Sequence, residues 1–300
     1  MISCGIVVHG GAGSSESLAG ACAAICRKAF VMLRKGSPAL EAAVEAVRVL
    51  EDDGRFNAGS GSTLRLDGKT VEMDAGVMDC RGRIGAVMAL RNARNPVLVA
   101  RALMETPHVA LAGEGATLFA RRMGLDPSPP ISADVYKRFV KTRQLVKENK
   151  LQQRDVRWKS SDIRRLWNFE VPYDDTFPSD TVGAVALDRS GDTAVASSTG
   201  GASPMMLGRV GDTAMIGSGF YAGPKGAVAA TGIGEEIIRR MLAKTVYDLI
   251  GAGKEITAAC EQGVTLFSSK IAVGLVAISA EGYAIKANRQ MAAYGLVEKG

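Results

Sequence analysis

Residues 177–192 read FPSDTVGAVALDRSGD. Phe177-Pro178-Ser179-Asp180 has the composition of a loop, and the apolar run that begins at Thr181 and ends at Leu187 has that of a buried strand. Arg189-Ser190-Gly191-Asp192 is a turn, and a second strand over 193–198 completes a hairpin. The chain thus sets Asp180-Thr181 at the mouth of a strand, directly after a polar stretch. An isolated Asp-Thr pair carries no function, so its meaning depends on what surrounds it.

Upstream lies a segment unlike the rest. From Asp126 to Asp180 the chain has Pro127, Pro129 and Pro130, then a charged run, and no core-like pattern beyond some helix around 132–150. Residues 137–165 hold eleven Lys/Arg and three Asp/Glu, a local +8, so the remainder of the +6 chain sums to −2. The basicity belongs to one segment with few aromatics and no nucleic-acid motif, which reads as a solvated, flexible linker over 126–180 and excludes a nucleic-acid partner.

On either side, strands and helices alternate in groups. Ile2–Val8 is a strand that ends in His9-Gly-Gly-Ala-Gly13. Helices follow at about 17–34 and, with Ser37 as N-cap and Pro38 in the first turn, to about Asp52. Strands are expected at Ser62–Leu66, Thr70–Met78 and Gly85–Leu90, the first two joined by Asp67-Gly68. Asn95-Pro96 opens a helix through about Met104, and Gly113–Met123 is another. After the 181–198 hairpin come a loop over 199–212, a strand near 226–231, helices over 235–250 and 255–268, and a hairpin of 272–278 with 282–287. Hairpin-linked strands with helices grouped around them predict an α+β layered sandwich.

Composition limits the function classes. With 47% hydrophobic residues over 300, the chain suits a globular protein, and its longest apolar runs are strand-sized, so no membrane span is expected. Residues 1–10 carry no basic n-region, which predicts a cytoplasmic location. Cys22 and Cys26 stand four apart, but the chain has five cysteines at unpatterned spacings and two histidines, too few to complete a zinc site. The cysteines read as small buried hydrophobes.

A threonine hydroxyl is a poor nucleophile and needs a base. With so few histidines, another source is required. Cutting the bond before Thr181 frees an α-amine with a reference pKa of ~7.7–8.0, tied covalently to the nucleophile's own Cα.

Several motifs now fall into one order. Thr181-Val-Gly-Ala-Val-Ala-Leu-Asp188, Ser198-Thr-Gly-Gly201, Gly208-Arg-Val-Gly-Asp212 and Thr231-Gly-Ile-Gly-Glu235 follow His9-Gly-Gly-Ala-Gly13, Phe56-Asn-Ala-Gly59, Met73-Asp-Ala-Gly-Val-Met-Asp79 and Asn95-Pro96. Over about residues 2–125 and 181–265 the chain resembles the plant-type asparaginases, or isoaspartyl aminopeptidases. These are N-terminal-nucleophile hydrolases related to glycosylasparaginases and taspases. The resemblance implies a four-layer αββα sandwich, one domain over 1–300, and autocleavage at Asp180–Thr181 into an α chain (1–180) and a β chain (181–300). Small-molecule substrates are implied, L-asparagine or β-aspartyl dipeptides, with assembly as an (αβ)2 homo-oligomer.

Site roles follow from the same resemblance. Thr181 is the nucleophile and Thr199 helps to polarise it. Arg209 and Asp212 hold the substrate's α-carboxylate and α-ammonium, with Gly234 a further backbone contact. Thr231 and Gly232 form the oxyanion hole. Asn57 supports the site through Thr231, and His9 and Gly10 border the nucleophile. No cofactor is required, but the loop resembles a sodium site built of backbone carbonyls at Leu50, Glu51, Asp53, Phe56, Ala58 and Ser60. Read without the family, Thr199 is a strand-end turn cap, Gly208–Asp212 a surface turn, and Thr231-Gly232 a helix cap.

The chain also departs from the family. Asp180 stands where plant-type members commonly have Gly, Ala202–Leu207 replaces a frequent Asn-Lys pair, and the glycine run before the last hairpin is reduced to Ser268–Gly274. A glycosylasparaginase-like amidase, a taspase-like processing protease and an unprocessed binding protein are the alternatives.

Overall fold

A computed structural model describes residues 1–147, 181–203 and 205–300. In chain order the elements are β1 (Ile2–Ala12), α1 (Ala19–Arg34), α2 (Ala39–Asp53), β2 (Met73–Asp79), β3 (Ile84–Leu90), α3 (Pro96–Leu103), β4 (Ala110–Ala112), α4 (Gly113–Arg122) and α5 (Ala133–Lys147). Beyond residue 180 they are β5 (Val182–Leu187), β6 (Thr193–Thr199), β7 (Phe220–Gly223), β8 (Gly226–Gly232), α6 (Gly234–Arg240), α7 (Leu242–Gly251), α8 (Ile256–Thr265), β9 (Val273–Ser279), β10 (Gly282–Ala287) and β11 (Met291–Lys299). Residues 148–180 of the expected linker, with Asp180 of the expected cleavage site, lie outside the described residues.

The strands form a seven-stranded sheet, in the order β11-β1-β5-β6-β2-β3-β4, and a four-stranded sheet, β10-β9-β8-β7. Neighbours are antiparallel except β3 and β4. The fold is α+β. Strand alternation assigns the two faces of each sheet. Along β5, Val182, Ala184 and Ala186 join the core under α1, α2 and α3, whereas Val185 and Leu187 join a second core with Val276 and Ile278 of β9. On the smaller sheet, Val228 and Leu275 point to a third core with Leu242 and Val246 of α7 and Cys260 of α8.

Small side chains make this packing close. Ala42, Ala43 and Ala46 are buried on α2, and at Gly76 a Cβ would lie 2.3 Å from the Phe220 ring of the other sheet. All five cysteines are free thiols; burial pushes Cys22, Cys26 and Cys260 up to about 12, so they are inert at neutral pH, as small hydrophobes should be. No helix among the described residues is long and apolar enough to cross a membrane.

Several expected boundaries shift for local reasons. Residues 62–66 are not a strand: the Arg65 side chain turns into the core, while the Gly68 N–H donates to the Arg65 carbonyl and Asp67 accepts from Lys69 and Thr70. The strand expected from Thr70 therefore begins at Met73. The helix expected over 235–250 breaks at Met241, whose φ is 43°, so that the Ala243 and Lys244 N–H groups can donate to the Ser218 and Gly217 carbonyls. β1 runs on through the glycine-rich stretch to Ala12, where it meets Met291 of β11, a strand with no clear alternation in the sequence. Ser37 does not cap α2; the Asp188 carboxylate, from the end of β5, accepts from the Ala39 N–H at 2.8 Å.

Glu51 makes a similar cross-element cap. Fully buried at the end of α2, it accepts from the Val97 N–H in the first turn of α3 at 3.0 Å. Its other carboxyl oxygen lies beside the Ser198 hydroxyl, short of a well-formed hydrogen bond. Burial pushes its pKa from 4.5 up to about 8, so the carboxyl is protonated at neutral pH in the folded chain.

Two predictions follow the two caps. Asp188→Ala leaves a buried N–H without a partner and costs about 1–3 kcal/mol, read as a lower urea midpoint with an unchanged slope. For Glu51 the folded state binds a proton that the unfolded chain has released, so stability falls as pH rises from about 4.5 to about 8. Glu51→Gln keeps the acceptor for Val97 and removes this contribution, giving a flatter pH dependence of melting temperature across that window; a slope identical to the wild type's counts against the buried neutral acid.

Candidate active site

Thr181 stands one residue before β5, buried at the end of the sheet. The register sets His9 opposite Gly183, Gly183 opposite Ser197, and Val182 opposite Ser198; one step further, Thr181 faces Thr199. The Thr181 hydroxyl meets the Thr213 hydroxyl at 3.3 Å. Thr213 belongs to the 3-10 turn Asp212–Ala214. Thr199 uses its own hydroxyl to accept from the Gly201 N–H at 3.1 Å. From the smaller sheet, Thr231 near the end of β8 accepts from the Ala12 N–H at 3.2 Å, tying the ends of β8 and β1 together. Gly232 follows with φ 142°, and a Cβ there would strike the Ala272 carbonyl at 2.2 Å, so this backbone position admits glycine.

Beside these hydroxyls lies a charged corner. The Arg209 guanidinium donates to both oxygens of Glu235, each at 2.9 Å. Asp212 is buried and one of its oxygens, Oδ2, has no hydrogen-bond partner; burial pushes its pKa up to about 7, against the pull of Arg209. Gly234 closes on both: its Cβ would lie 2.8 Å from Arg209 Nη2 and 3.0 Å from Asp212 Oδ1. Arg209, Asp212 and Gly234 thus come together, with Thr213 linking them to Thr181.

The loop that carries Arg209 is held by charges that sequence reasoning did not single out. Glu72 accepts from the Gly208 N–H at 2.9 Å and from Arg91 at 2.6 Å. Arg65, fully buried, donates to the Gly200 carbonyl at 3.0 Å and lies 3.6 Å from Glu72 Oε2. Asp74 accepts from Ala89 and Gly211, and burial raises its pKa. Of these, Asp74 lies within the Met73–Asp79 motif, and Glu235 closes the Thr231–Glu235 motif. Thr213, Arg65 and Glu72 carried no signal, because their partners are far away in sequence.

His9 is fully buried, and neither ring nitrogen closes a proper hydrogen bond. Burial drives its pKa down to about 4, opposed by a contact with the Thr181 backbone, so the ring is neutral at pH 7. Gly10 packs under the Phe56 ring, which a Cβ would meet at 2.6 Å. Asn57 donates to the Gly201 carbonyl at 2.7 Å and accepts from Thr63.

The loop after α2 turns back on itself. Gly54 is left-handed, Ser60 donates to the Glu51 carbonyl at 2.7 Å, and the Phe56 and Gly54 carbonyls crowd Gly61, 2.0 and 2.6 Å from where its Cβ would be. No cluster of three or more His, Cys, Asp or Glu suited to a metal occurs among the described residues. A cavity of about 560 Å³ lies behind this loop, between Ser62 and the 128–135 segment, and none of the threonines above lines it.

The asparaginase family model matches residues 2–299. The chain is 40% identical over 291 residues to a plant-type L-asparaginase of Pyrococcus horikoshii, covering 92% of this chain and 90% of that one. It is 41% identical over 288 residues to an isoaspartyl peptidase/L-asparaginase of Xenopus laevis, covering 92% and 86%. A plant-type L-asparaginase of Pyrobaculum calidifontis is 38% identical over 305 residues, covering 97% and 95%. With nearly its whole length matched, and with Thr181, Arg209, Asp212 and Gly234 brought to one place by the fold, the chain belongs to the asparaginase family.

Proposed function

We propose that the protein is a self-processing threonine hydrolase that releases L-aspartate from L-asparagine and from β-aspartyl dipeptides. The observation that carries this reading is the chain of contacts from Thr181 through Thr213 and Asp212 to Gly234 and Arg209. It sets a nucleophile beside an anchor for a free amino acid backbone. The relatives' names, L-asparaginase and isoaspartyl peptidase, support the same substrates.

Cleavage of Asp180–Thr181 frees the Thr181 α-amine, leaving chains of 180 and 120 residues from the 300. The neutral amine takes the hydroxyl proton as Oγ1 attacks the side-chain carbonyl of the substrate. The oxyanion forms against the Thr231 hydroxyl and the Gly232 N–H; one such donor is worth ~10²–10³ in turnover. The ammonium then protonates the departing ammonia or amino acid, and the acyl–Thr181 ester remains. Water, deprotonated by the same amine, resolves it to aspartate.

At the anchor, Arg209 has two of its nitrogens held by Glu235 and presents the rest of its fork to the α-carboxylate. Asp212 receives the α-ammonium, whose charge lowers the raised pKa and ionises the carboxyl. A continuing polypeptide has neither free group at this position, so the anchor favours an amino acid or dipeptide over a protein substrate.

The reading includes the architecture around the site. The helix-facing cores on the outer side of each sheet, and the second core between the sheets, support a four-layer αββα sandwich and a single domain. The loop carbonyls of Leu50, Glu51, Asp53, Phe56, Ala58 and Ser60 would hold a sodium ion, whose positive charge would tie together the segment carrying Asn57. The mature enzyme works in the cytoplasm as an (αβ)2 homo-oligomer.

Intact mass on the purified protein should give two fragments with Thr181 as the new N-terminus, and aspartate release from both substrates. Thr181→Ala should remain a 300-residue chain without turnover; aspartate release by that variant at the wild-type rate overturns the reading. Arg209→Lys keeps the charge but loses the fork. Its KM for asparagine should rise about tenfold or more while kcat changes less, since the carboxylate is bound equally in ground and transition states.

A further inference from the structure

We propose that Thr213 is a catalytic residue, the hydrogen-bond donor to the attacking oxygen of Thr181; this rests on the reading of Thr181 as the nucleophile. Thr213 is 1% exposed, and its hydroxyl lies 3.3 Å from Thr181 Oγ1. Among the described residues its side chain makes no other hydrogen bond. Distance does not say which hydroxyl donates, but the chemistry does. The Thr181 proton has to leave toward the α-amine, so Thr181 Oγ1 is free to accept, and Thr213 supplies the proton of the shared bond. As Thr181 loses its proton, this bond changes from neutral to charge-assisted, which roughly doubles its strength when negative charge appears on Oγ1. Thr199, on the facing strand end, accepts from the Gly201 N–H at 3.1 Å.

Thr213 also has a fixed platform. The Met215 N–H donates to the Asp212 carbonyl at 2.8 Å, and the Gly219 N–H at 3.1 Å, so the turn is pinned from two sides. Asp212, the ammonium anchor, is its immediate neighbour. One three-residue turn therefore carries both the group that fixes the substrate and the group that aims the nucleophile, and an amino acid seated on Asp212 holds Thr213 against Thr181. The same donor serves self-cleavage, in which Thr181 Oγ1 attacks the carbonyl of residue 180.

The test compares Thr213→Ser, Thr213→Ala and Thr213→Val, each as the full chain, beside the wild type. Three readouts are taken: kcat and KM for asparagine, the rate at which fragments appear on a denaturing gel, and melting temperature. Thr213→Ser should stay within about threefold of wild type. Thr213→Ala and the isosteric Thr213→Val should lose roughly 10- to 100-fold in kcat, the worth of one hydrogen bond to a charged atom, with KM within about threefold and slower fragment appearance. A variant that folds but stays uncut, while Thr213→Ser is cut, supports the same role. Wild-type kcat and processing in Thr213→Ala or Thr213→Val overturns the proposal. So does a loss in Thr213→Ser equal to that in Thr213→Ala, which would assign the effect to the missing methyl. If Thr213→Val does not fold, the serine–alanine pair, which differs by the hydroxyl, decides. A wild type that neither cuts itself nor releases aspartate removes the hydrolase reading itself, and with it this role for Thr213.

Discussion

His9 sits opposite Gly183 on one side, and Gly183 sits opposite Ser197 on the other, so three adjacent strands are locked at one level. A Cβ at residue 183 would lie 2.4 Å from His9 Nε2 and 3.2 Å from Ser197 Oγ, so the imidazole occupies the room that any side chain there would need. Side chains alternate along a strand, and a slip of one residue moves the whole set to the other face. In the register present, Val182, Ala184 and Ala186 point to the helices, and Thr181 shares the phase of Val185 and faces the other sheet. Thr231 has the phase of Ala227 and Ala229 on β8 and faces it in return. Two hydroxyls are thereby delivered to the seam between the sheets, with the bond from Ala12 to Thr231 closing the end.

The loop beyond β6 is held in large part by charged groups. Arg65 keeps its charge at neutral pH although burial drops its pKa to about 10, because Glu72 and Asp74 oppose that drop. Leaving one ion of such a set uncompensated costs about 3–5 kcal/mol, which is a strong reason for the loop to stay where its partners are. Gly200 is tied to Arg65, Gly208 to Glu72 and Gly211 to Asp74, so three backbone points on the two sides of Arg209 are fixed by charged groups. Such a network spends desolvation energy on placement rather than on net stability.

Local pattern made much of this legible. The hairpin after Thr181, the helices opened by Pro38 and Pro96, and the order of the glycine-rich motifs are statements about near neighbours, and they survive in the structure with boundary shifts. What escaped depends on distant partners. Asp67-Gly68 does turn the chain, with the Arg65 N–H donating to the Thr70 carbonyl at 2.9 Å, but no strand ladder extends from that turn. The run from Glu235 to Ile250 has a helical pattern throughout, and its break at Met241 is set by carbonyls at 217 and 218. β7 is four residues long and β11 alternates poorly, so neither stands out before its partner strand is known. Thr213 is one more threonine until folding brings Thr181 to it from 32 positions away.

On the proposed reading, the identity of the base follows from what the site lacks in usable basicity. His9, the nearest imidazole to Thr181, is held neutral down to about pH 4 and is too weak a base to take a threonine proton at neutral pH. Asp212, pushed up to about 7, is better matched in pKa, but on the proposed reading it is committed to the substrate's ammonium. Once an ammonium lies against it, its pKa falls and its basicity falls with it, at the moment a base is needed. Glu51 is protonated and turned toward α3. On the proposed reading the α-amine released with Thr181 is then left as the group with a suitable pKa. On that reading a nucleophile so poor in itself can work at the head of a chain, because backbone cleavage would supply the base on the residue that needs it.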